Sequence, residues 1–338
     1  MNKRAFCSLL AVLIAVSFIL PALATDADGN VELSAATQAE DDAEVQDEAD
    51  AGEPDAEVPD DADADAEAEP EPEPEPEPKS FVYLDGAPQF VEYELRNGTT
   101  YVTVSSFMAV ADPQAVVEEE NGVVTVSSAR VEKVVDDEGN STDVVKETLS
   151  MTVSSQVPYI VANGRYLYAK DSIVTVNGQV AVPIRKLALV FNLDVGYDAE
   201  ARAALLIHVQ GRSAYIQPGD NYYDGDTLYW LSRIIHAESG NQVLEGKIAV
   251  GNVVMNRVNS SLFPNTLYGV LSQKNQFVSP NTLSKKNPNS ESVVAAKLVM
   301  DGAEVLPTAL FFNRTGLLSY AAKNRAFVTT IGNHDFYA

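Results

Sequence analysis

The sequence predicts a multidomain chain: a small α+β module that is β-rich and duplicated, followed by a mainly α module that keeps some β structure of its own. Three observations carry this expectation. Residues 1–79 are an apolar start followed by an acidic, proline-rich stretch with almost nothing to bury. Asn-Gly pairs flanked by β-type runs recur 80 residues apart, at 97 and 177. Near Gln217-Pro218-Gly219-Asp220 the β-type pattern gives way to helical periodicity.

Residues 1–24 read as a secretion signal rather than as structure. Lys3 and Arg4 give a positive start, 5–20 is nearly unbroken apolar, and Ala22-Leu23-Ala24 supplies small residues for cleavage. The apolar run is short for a bilayer span. A secreted protein with no membrane partner after signal cleavage is therefore expected, rather than an anchored one. Cys7, the single cysteine, lies in this segment, which removes disulfides, thiol catalysis and cysteine-ligated metal.

Residues 25–79 form a linker. Positions 26–78 hold 23 Asp and Glu and no Lys or Arg, a composition that leaves ordering entropy uncompensated. The stretch 69–78 alternates Glu and Pro, which predicts a stiff polyproline II rod of roughly 3 Å per residue. A solvated spacer is the plain reading; a calcium-loaded or partner-binding acidic tail is the alternative. The formal charge of −26 resides mostly here, since from residue 79 onward 21 basic face 26 acidic side chains, a net of −5. Nucleic acid is not an expected partner of so mildly acidic a body.

The first folded module is expected over 80–216. Asn97-Gly98, Tyr101-Val102 and the apolar run 107–111 align without a gap on Asn177-Gly178, Ala181-Val182 and 187–191, and 123–126 on 203–206. Each copy reads strand, Asn-Gly turn, strand, short helix, strand, turn, strand. Residues 129–157 interrupt the copies with a polar loop at 136–140 and further strand-like alternation of Val and Thr. Val176-Asn177-Gly178, Val182-Pro183-Ile184-Arg185 and Phe191-Asn192-Leu193-Asp194-Val195 before Tyr197-Asp198 resemble the copper amine oxidase N-terminal-like domain of secreted Gram-positive proteins. The first copy departs from it, with Thr103 and Ser105 where the second has Pro183 and Arg185. Nothing here suggests copper: His208, the module's only histidine, is expected in a strand without partner ligands. Wall attachment, positioning, or a purely structural role are the readings for this module.

The second module is expected over 222–338. Asp226 is the expected N-cap of a helix whose Leu228, Leu231 and Ile235 share one face, with Ile234 alongside. Arg233 and His236 suit the last turn, Gly240 supplies a stop, and Asn241 is the expected cap of the next helix. That second helix puts Leu244, Ile248, Gly251, Met255 and Val258 on one side, and Asn256 and Arg257 end it. A third helix is expected over 292–302, with 309–313 and 327–331 as short strands or extended segments. Glu238 sits where the first helix stops. A carboxyl there lies at the negative pole of the helix dipole, which disfavours its ionised form and raises its pKa. An acid still protonated near neutrality is a proton donor; a solvated helix-end carboxylate is the plainer alternative.

A helix-ending Glu followed by a second helix is the arrangement of lysozyme-like α+β folds, and further pieces carry a resemblance across 226–337. They are Arg233 and Ala237-Glu238; Glu245-Gly246 with the run 249–258; Phe263-Pro264-Asn265-Thr266; Gln276-Phe277; Ala309-Leu310-Phe311-Phe312-Asn313; and Ile331-Gly332-Asn333-His334-Asp335-Phe336. In this order they resemble the spore cortex-lytic or cell-wall hydrolase family, typically lytic transglycosylases. The turn Ser239-Gly240-Asn241 departs from the more basic turn common there and lacks the Glu that follows it.

The resemblance implies a secreted enzyme of the cell wall or spore cortex, acting on peptidoglycan glycan strands, with Glu238 catalytic and no metal or cofactor. The other acids of the module, Asp224, Asp226, Glu245, Glu291, Asp301, Glu304 and Asp335, stand in no comparable motif. A single acid points to an intramolecular nucleophile rather than to the two-carboxylate scheme of glycoside hydrolysis. Around it, Phe277 and Phe312 stack on sugars or belong to the core, and Gln276, Asn256 and Asn313 bond acetamido and hydroxyl groups, Asn256 being equally a helix-end cap. His334 lines the cleft or fixes its loop. Two other readings remain. One is a wall hydrolase, either with two carboxylates or metal-dependent through His236 and His334 with Glu238 or Asp335, although positions two apart on a helix point different ways. The other is a wall-binding or adhesion protein with a degenerate catalytic module.

Overall fold

The computed structural model describes residues 81–169 and 173–338; the expected signal and linker, 1–79, lie outside that range. Its first half runs β1 (Phe81–Leu84), β2 (Ala87–Phe90), β3 (Tyr93–Arg96), β4 (Thr99–Thr103), α1 (Val104–Ala111), β5 (Val116–Glu120), β6 (Val123–Val135), β7 (Ser141–Ser154), β8 (Tyr159–Ala162), β9 (Arg165–Tyr168), β10 (Val174–Val176), β11 (Gln179–Pro183), α2 (Ile184–Val190), β12 (Asp194–Asp198) and β13 (Ala203–Ile207). Asn97 and Gly98 take φ of 49° and 75°, and Asn177 and Gly178 take 49° and 85°, the left-handed pair that a two-residue hairpin needs.

The two copies therefore fold alike, and they meet through equivalent strands. β4 and β11 pair antiparallel with Val102 opposite Val182, flanked by Tyr101 opposite Pro183 and Thr103 opposite Ala181. Val102 and Val182, 80 apart, thus face each other, and the flanking pairs fall symmetrically about them, as a local two-fold axis requires. The departure between copies has a local reason: Thr103 accepts a bond from the Ser106 N–H and caps α1, whereas Pro183 precedes α2 with no side-chain cap. Phe107, Phe191 and Tyr215 stack in sequence at 5.7 Å between ring centres in the shared core. The insertion between copies is sheet, in the order β5-β6-β7-β8-β9, and residues 136–140 turn on Asp136, whose Oδ1 accepts from the N–H groups of Glu138 and Asn140. His208 falls one residue beyond β13 rather than within it, its Nδ1 2.7 Å from Asp85 Oδ2.

The second half runs α3 (Gly219–Tyr222), α4 (Gly225–Ser239), α5 (Leu244–Asn259), α6 (Leu267–Leu271), α7 (Pro280–Leu283), α8 (Ser290–Met300), β14 (Phe311–Arg314), α9 (Tyr320–Asn324), β15 (Phe327–Ile331) and β16 (His334–Tyr337). The cap of α4 is Asp224, not Asp226: its carboxylate accepts from the Thr227 N–H at 2.8 Å. Asn241 caps nothing, because α5 starts after Val243, with no side-chain cap bond. Gly240 is right-handed at φ −57°, so the stop there owes nothing to glycine's left-handed freedom.

The single apolar face expected of α5 is also corrected. Its residues from Gly246 to Val254 are all buried, because α5 is a central helix. Ile248 and Val254 join α4, α6, α7 and α8 in one cluster, while Ala249, Val250 and Val253 pack against Leu306, Ala309 and Phe336 on the other side. Gly251 makes the first packing possible, since a Cβ there would lie 2.8 Å from Val299 Cγ2 and 3.0 Å from Ile235 Cδ1. The expected third helix appears as α8. β16 has no counterpart in the expected elements, yet it is the central strand of the sheet β14-β16-β15.

The described residues, 81–169 and 173–338, belong to one compact unit, and β9 and α8 show what joins its two parts. Asp301, just past α8, has a side chain with 0% exposure. It receives Arg165 Nε at 2.9 Å, the Arg165 Nη2 and Tyr223 hydroxyl donors, and the Tyr166 N–H at 3.3 Å. Tyr222 lies under the Arg165 guanidinium at 3.4 Å, and Tyr159, Tyr166 and Tyr168 pack against the helical cluster. Among the described residues no helix is long and apolar enough to cross a membrane.

Candidate active site

Glu238 occupies the last turn of α4, a turn closed by the buried Ser239 hydroxyl donating to Ile235 O at 2.7 Å. Its carboxylate Oε1 accepts from the Val278 N–H at 3.3 Å. Burial pushes the carboxyl above the ordinary glutamate range, against the lowering pull of that bond and of the Lys286 charge. The direction is the one expected from sequence, and its largest cause is desolvation by the surrounding module.

Glu238 opens into a cleft of about 550 Å³ and, among the described residues, is the only carboxylate lining it. Among the expected residues, Gln276, Phe277, Phe312, Asn313 and His334 line the same cleft. Phe277 and Phe312 are half-buried, their ring centres 6.3 Å apart, so each serves core and cleft at once. Asn313 is held by two of its own neighbours: its Nδ2 donates to Arg314 O at 2.9 Å and its Oδ1 accepts from the Ser319 hydroxyl. His334 packs edge-on to Phe312 at 5.3 Å, its Nδ1 is buried without a hydrogen-bond partner, and burial lowers its pKa. It is thus a neutral imidazole at neutral pH.

Asn256 is the expected residue that does not line this cleft. Its Nδ2 donates to Leu306 O at 2.8 Å and Ala309 O at 3.0 Å, tying α5 to the segment that leads into β14. Asn256→Ala should lower the stability of the protein by about 1–3 kcal/mol, the cost of stranding buried carbonyls, with KM unchanged. Urea unfolding beside steady-state kinetics checks both, and a raised KM at unchanged stability would return Asn256 to the site.

The neighbouring position is the one the sequence reading passed over. Arg257 lines the cleft although it is only 4% exposed. Its Nε donates to Leu310 O at 2.7 Å and its Nη1 to Gln276 Oε1 at 3.2 Å. The guanidinium lies 4.7 Å from the Phe277 ring, 5.0 Å from Phe263 and 5.3 Å from Phe311. Burial lowers its pKa to about 10, which leaves it charged at neutrality. It pins the loop carrying Gln276 and Phe277 to β14. Asn275, in that loop, adopts a left-handed φ of 61°, and it too lines the cleft, as do Phe311, Arg314, Leu317, Ser319, Tyr320 and Ala321. The sequence signals for these residues are that Asn275 adjoins Gln276-Phe277 and that the others belong to or follow the Phe311-Phe312-Asn313 run.

The remaining acids are engaged or lie elsewhere. Asp224 caps α4, Glu291 pairs with the buried Lys247, Asp301 is clamped by Arg165, and Asp335 accepts from Thr330 Oγ1 at 2.7 Å. His236 and Asp335 do not line the cleft that holds Glu238 and His334, so the residues of the metal-dependent reading are not brought to one place. Among the described residues, no three His, Cys, Asp or Glu are grouped to hold a metal ion.

The α4–α5 pair thus presents one half-buried acid at its turn to a cleft walled by aromatic and amide side chains. Residues 241–337 match the family model for Cell Wall Hydrolase, and residues 82–206 match that for the Copper amine oxidase N-terminal domain. The chain thus carries a cell wall hydrolase domain behind a copper amine oxidase N-terminal-type domain. The first match includes every cleft-lining residue except Glu238, which stands three positions before it begins. The spore cortex-lytic enzyme of Oceanobacillus iheyensis is 28% identical over 116 residues, 34% of this chain and 42% of that enzyme. That of Bacillus subtilis is 27% identical over 116 residues, 34% of this chain and 38% of the enzyme. This chain therefore spans less than half the length of either. The solved catalytic domain of the germination-specific lytic transglycosylase SleB from Bacillus anthracis is 25% identical, with a TM-score of 0.33, and the match covers 36% of this chain and 100% of that one.

Proposed function

We propose that this protein cleaves the glycan strands of peptidoglycan as a lytic transglycosylase, outside the cell at the wall or spore cortex, with Glu238 as its single acid and base. The observation that carries this reading is a lone cleft carboxylate whose burial favours its protonated form. Protonated Glu238 gives its hydrogen to the bridging oxygen between N-acetylmuramic acid and N-acetylglucosamine, and the bond from C1 to that oxygen breaks. The carboxylate left behind takes the proton of the muramic C6 hydroxyl, whose oxygen bonds to C1. A 1,6-anhydro end forms, no water is consumed, and Glu238 is again protonated. The hydroxyl is tethered to the reacting ring, so proximity stands in for an activated water. No second carboxylate is required, and among the described residues none other than Glu238 lines the cleft.

Mass spectrometry of digested sacculi tests the reaction: 1,6-anhydromuramic ends are expected, and reducing ends carrying solvent oxygen would make the enzyme a hydrolase. The acid must be protonated in the free enzyme, so kcat/KM should fall as pH rises through the raised pKa of Glu238. Lys286 opposes that rise and is itself exposed. Lys286→Met should therefore move this limb to higher pH by a few tenths of a unit, roughly the reach of a screened surface charge. A limb displaced downward in the variant would mean that another group controls it.

A further inference from the structure

We propose that the segment from the end of β14 to the first residue of α9 is a sugar-binding wall of the cleft, with Tyr320 and Leu317 as the apolar platform for an N-acetylhexosamine ring of the bound strand. This rests on the reading that the cleft takes a glycan. Both side chains line the cavity that holds Glu238, and both are largely open to solvent, Tyr320 at 67% and Leu317 at 56%. The other large apolar groups of the lining, Phe277, Phe311 and Phe312, are half-buried and engaged with Arg257 or with one another. Tyr320 and Leu317 are therefore the apolar surface with the most to gain from a ligand.

Their exposure does not come from a loose loop. The Thr315 N–H donates to Asn333 O at 3.0 Å, the Gly316 N–H to Asp335 Oδ2 at 3.2 Å, and the Leu317 N–H to Arg314 O at 3.1 Å. Ser319 caps α9 through the Ala322 N–H at 3.1 Å while its hydroxyl donates to Asn313 Oδ1. Gly316 takes φ 77°, which lets the chain turn between these ties. The two side chains are thus held out from a pinned turn, and a ligand that covers them has little ordering to do.

The chemistry beside the platform selects the occupant. A pyranose offers a C–H face that lies flat on an aromatic ring, an acetamido methyl suited to a leucine, and a rim of hydroxyl groups. The amides of Asn275 and Asn313 and the guanidinium of Arg314 share the lining with the platform and suit that rim. An apolar protein segment would offer the Asn275 amide and the Arg314 guanidinium no hydrogen bond.

The test uses the full chain in a Glu238→Gln background, so that binding to purified peptidoglycan sacculi is read without turnover. Tyr320→Ala should weaken co-sedimentation about tenfold, the loss expected when one exposed ring is no longer covered, and Leu317→Ala less. Tyr320→Phe should bind as the parent does. In the active enzyme, Tyr320→Ala should raise KM by a similar factor with kcat nearly unchanged. Equal binding by the Tyr320→Ala variant overturns the proposal, as does a Tyr320→Phe variant as weak as Tyr320→Ala. Binding that depends on Arg314 and on salt but not on Tyr320 would assign the wall to a charged group instead. Sacculi that are bound but never cleaved by the Glu238 parent would end the transglycosylase reading and leave this one standing.

Discussion

Glu238→Gln is expected to reduce strand cleavage by a factor of about 10²–10⁴, the usual range for loss of a positioned general acid, and to make the protein more stable at neutral pH. The two effects have one cause. Folding raises the pKa of Glu238 by burial, so its carboxyl contributes fully to stability only below the ordinary glutamate range. That contribution is lost as pH rises through the folded value, because the buried group must then either ionise in a poor solvent or hold its proton against the bulk. Glutamine is neutral throughout and keeps an oxygen to accept the Val278 N–H. The variant and the parent should therefore unfold at similar temperatures near pH 4, about the ordinary glutamate pKa, and the variant at the higher temperature near neutrality. Muropeptide release and calorimetry at the two pH values read both effects. A variant that cleaves at the parental rate would remove Glu238 from the mechanism; one that is inactive and less stable at both pH values would make it a structural group.

Asp301→Ala is expected to destabilise the protein by about 3–5 kcal/mol, the cost of leaving one member of a buried ion pair without the other. The Arg165 side chain is 11% exposed and would lose its carboxylate, and the Tyr223 hydroxyl its acceptor. Burial and the bond to Asp301 raise the Tyr223 pKa far above the ordinary tyrosine value, so its hydroxyl keeps its proton and remains a donor. Because Arg165 lies in β9 and Asp301 follows α8, the loss falls on the junction between the β-rich and helical parts. The parent should melt in a single transition, and the variant at a lower temperature. An Arg165→Ala, Asp301→Ala double variant no less stable than Asp301→Ala alone would show that the cost lies in the stranded charge. Two independent transitions in the parent would contradict a joined core.

Much of the fold was legible because it is written locally. A turn that needs two left-handed residues restricts the choice mostly to Asn and Gly, so Asn97-Gly98 and Asn177-Gly178 announce their hairpins and the 80-residue repeat announces the duplication. Helical periodicity likewise marks α4, and its end marks Glu238. The errors were local too. Asp224 and Asp226 are both good caps, and the helix chose the one whose carboxylate reaches the Thr227 N–H.

The sequence by itself determined the two-module order, the duplicated β unit and the placing of one acid at the end of a helix, because each depends on residues within a turn or two of one another. Tertiary structure decided which groups share a cleft with that acid. Asn256 and Arg257 are successive on one helix and point about 100° apart, and only the packing of α5 between two clusters sends Arg257 to the cleft and Asn256 to the carbonyls of Leu306 and Ala309. Burial, which raises the Glu238 pKa, and the pairing of β14 with β16, which brings His334 beside Phe312, arise from segments distant in the chain. Neither can be read from either segment alone.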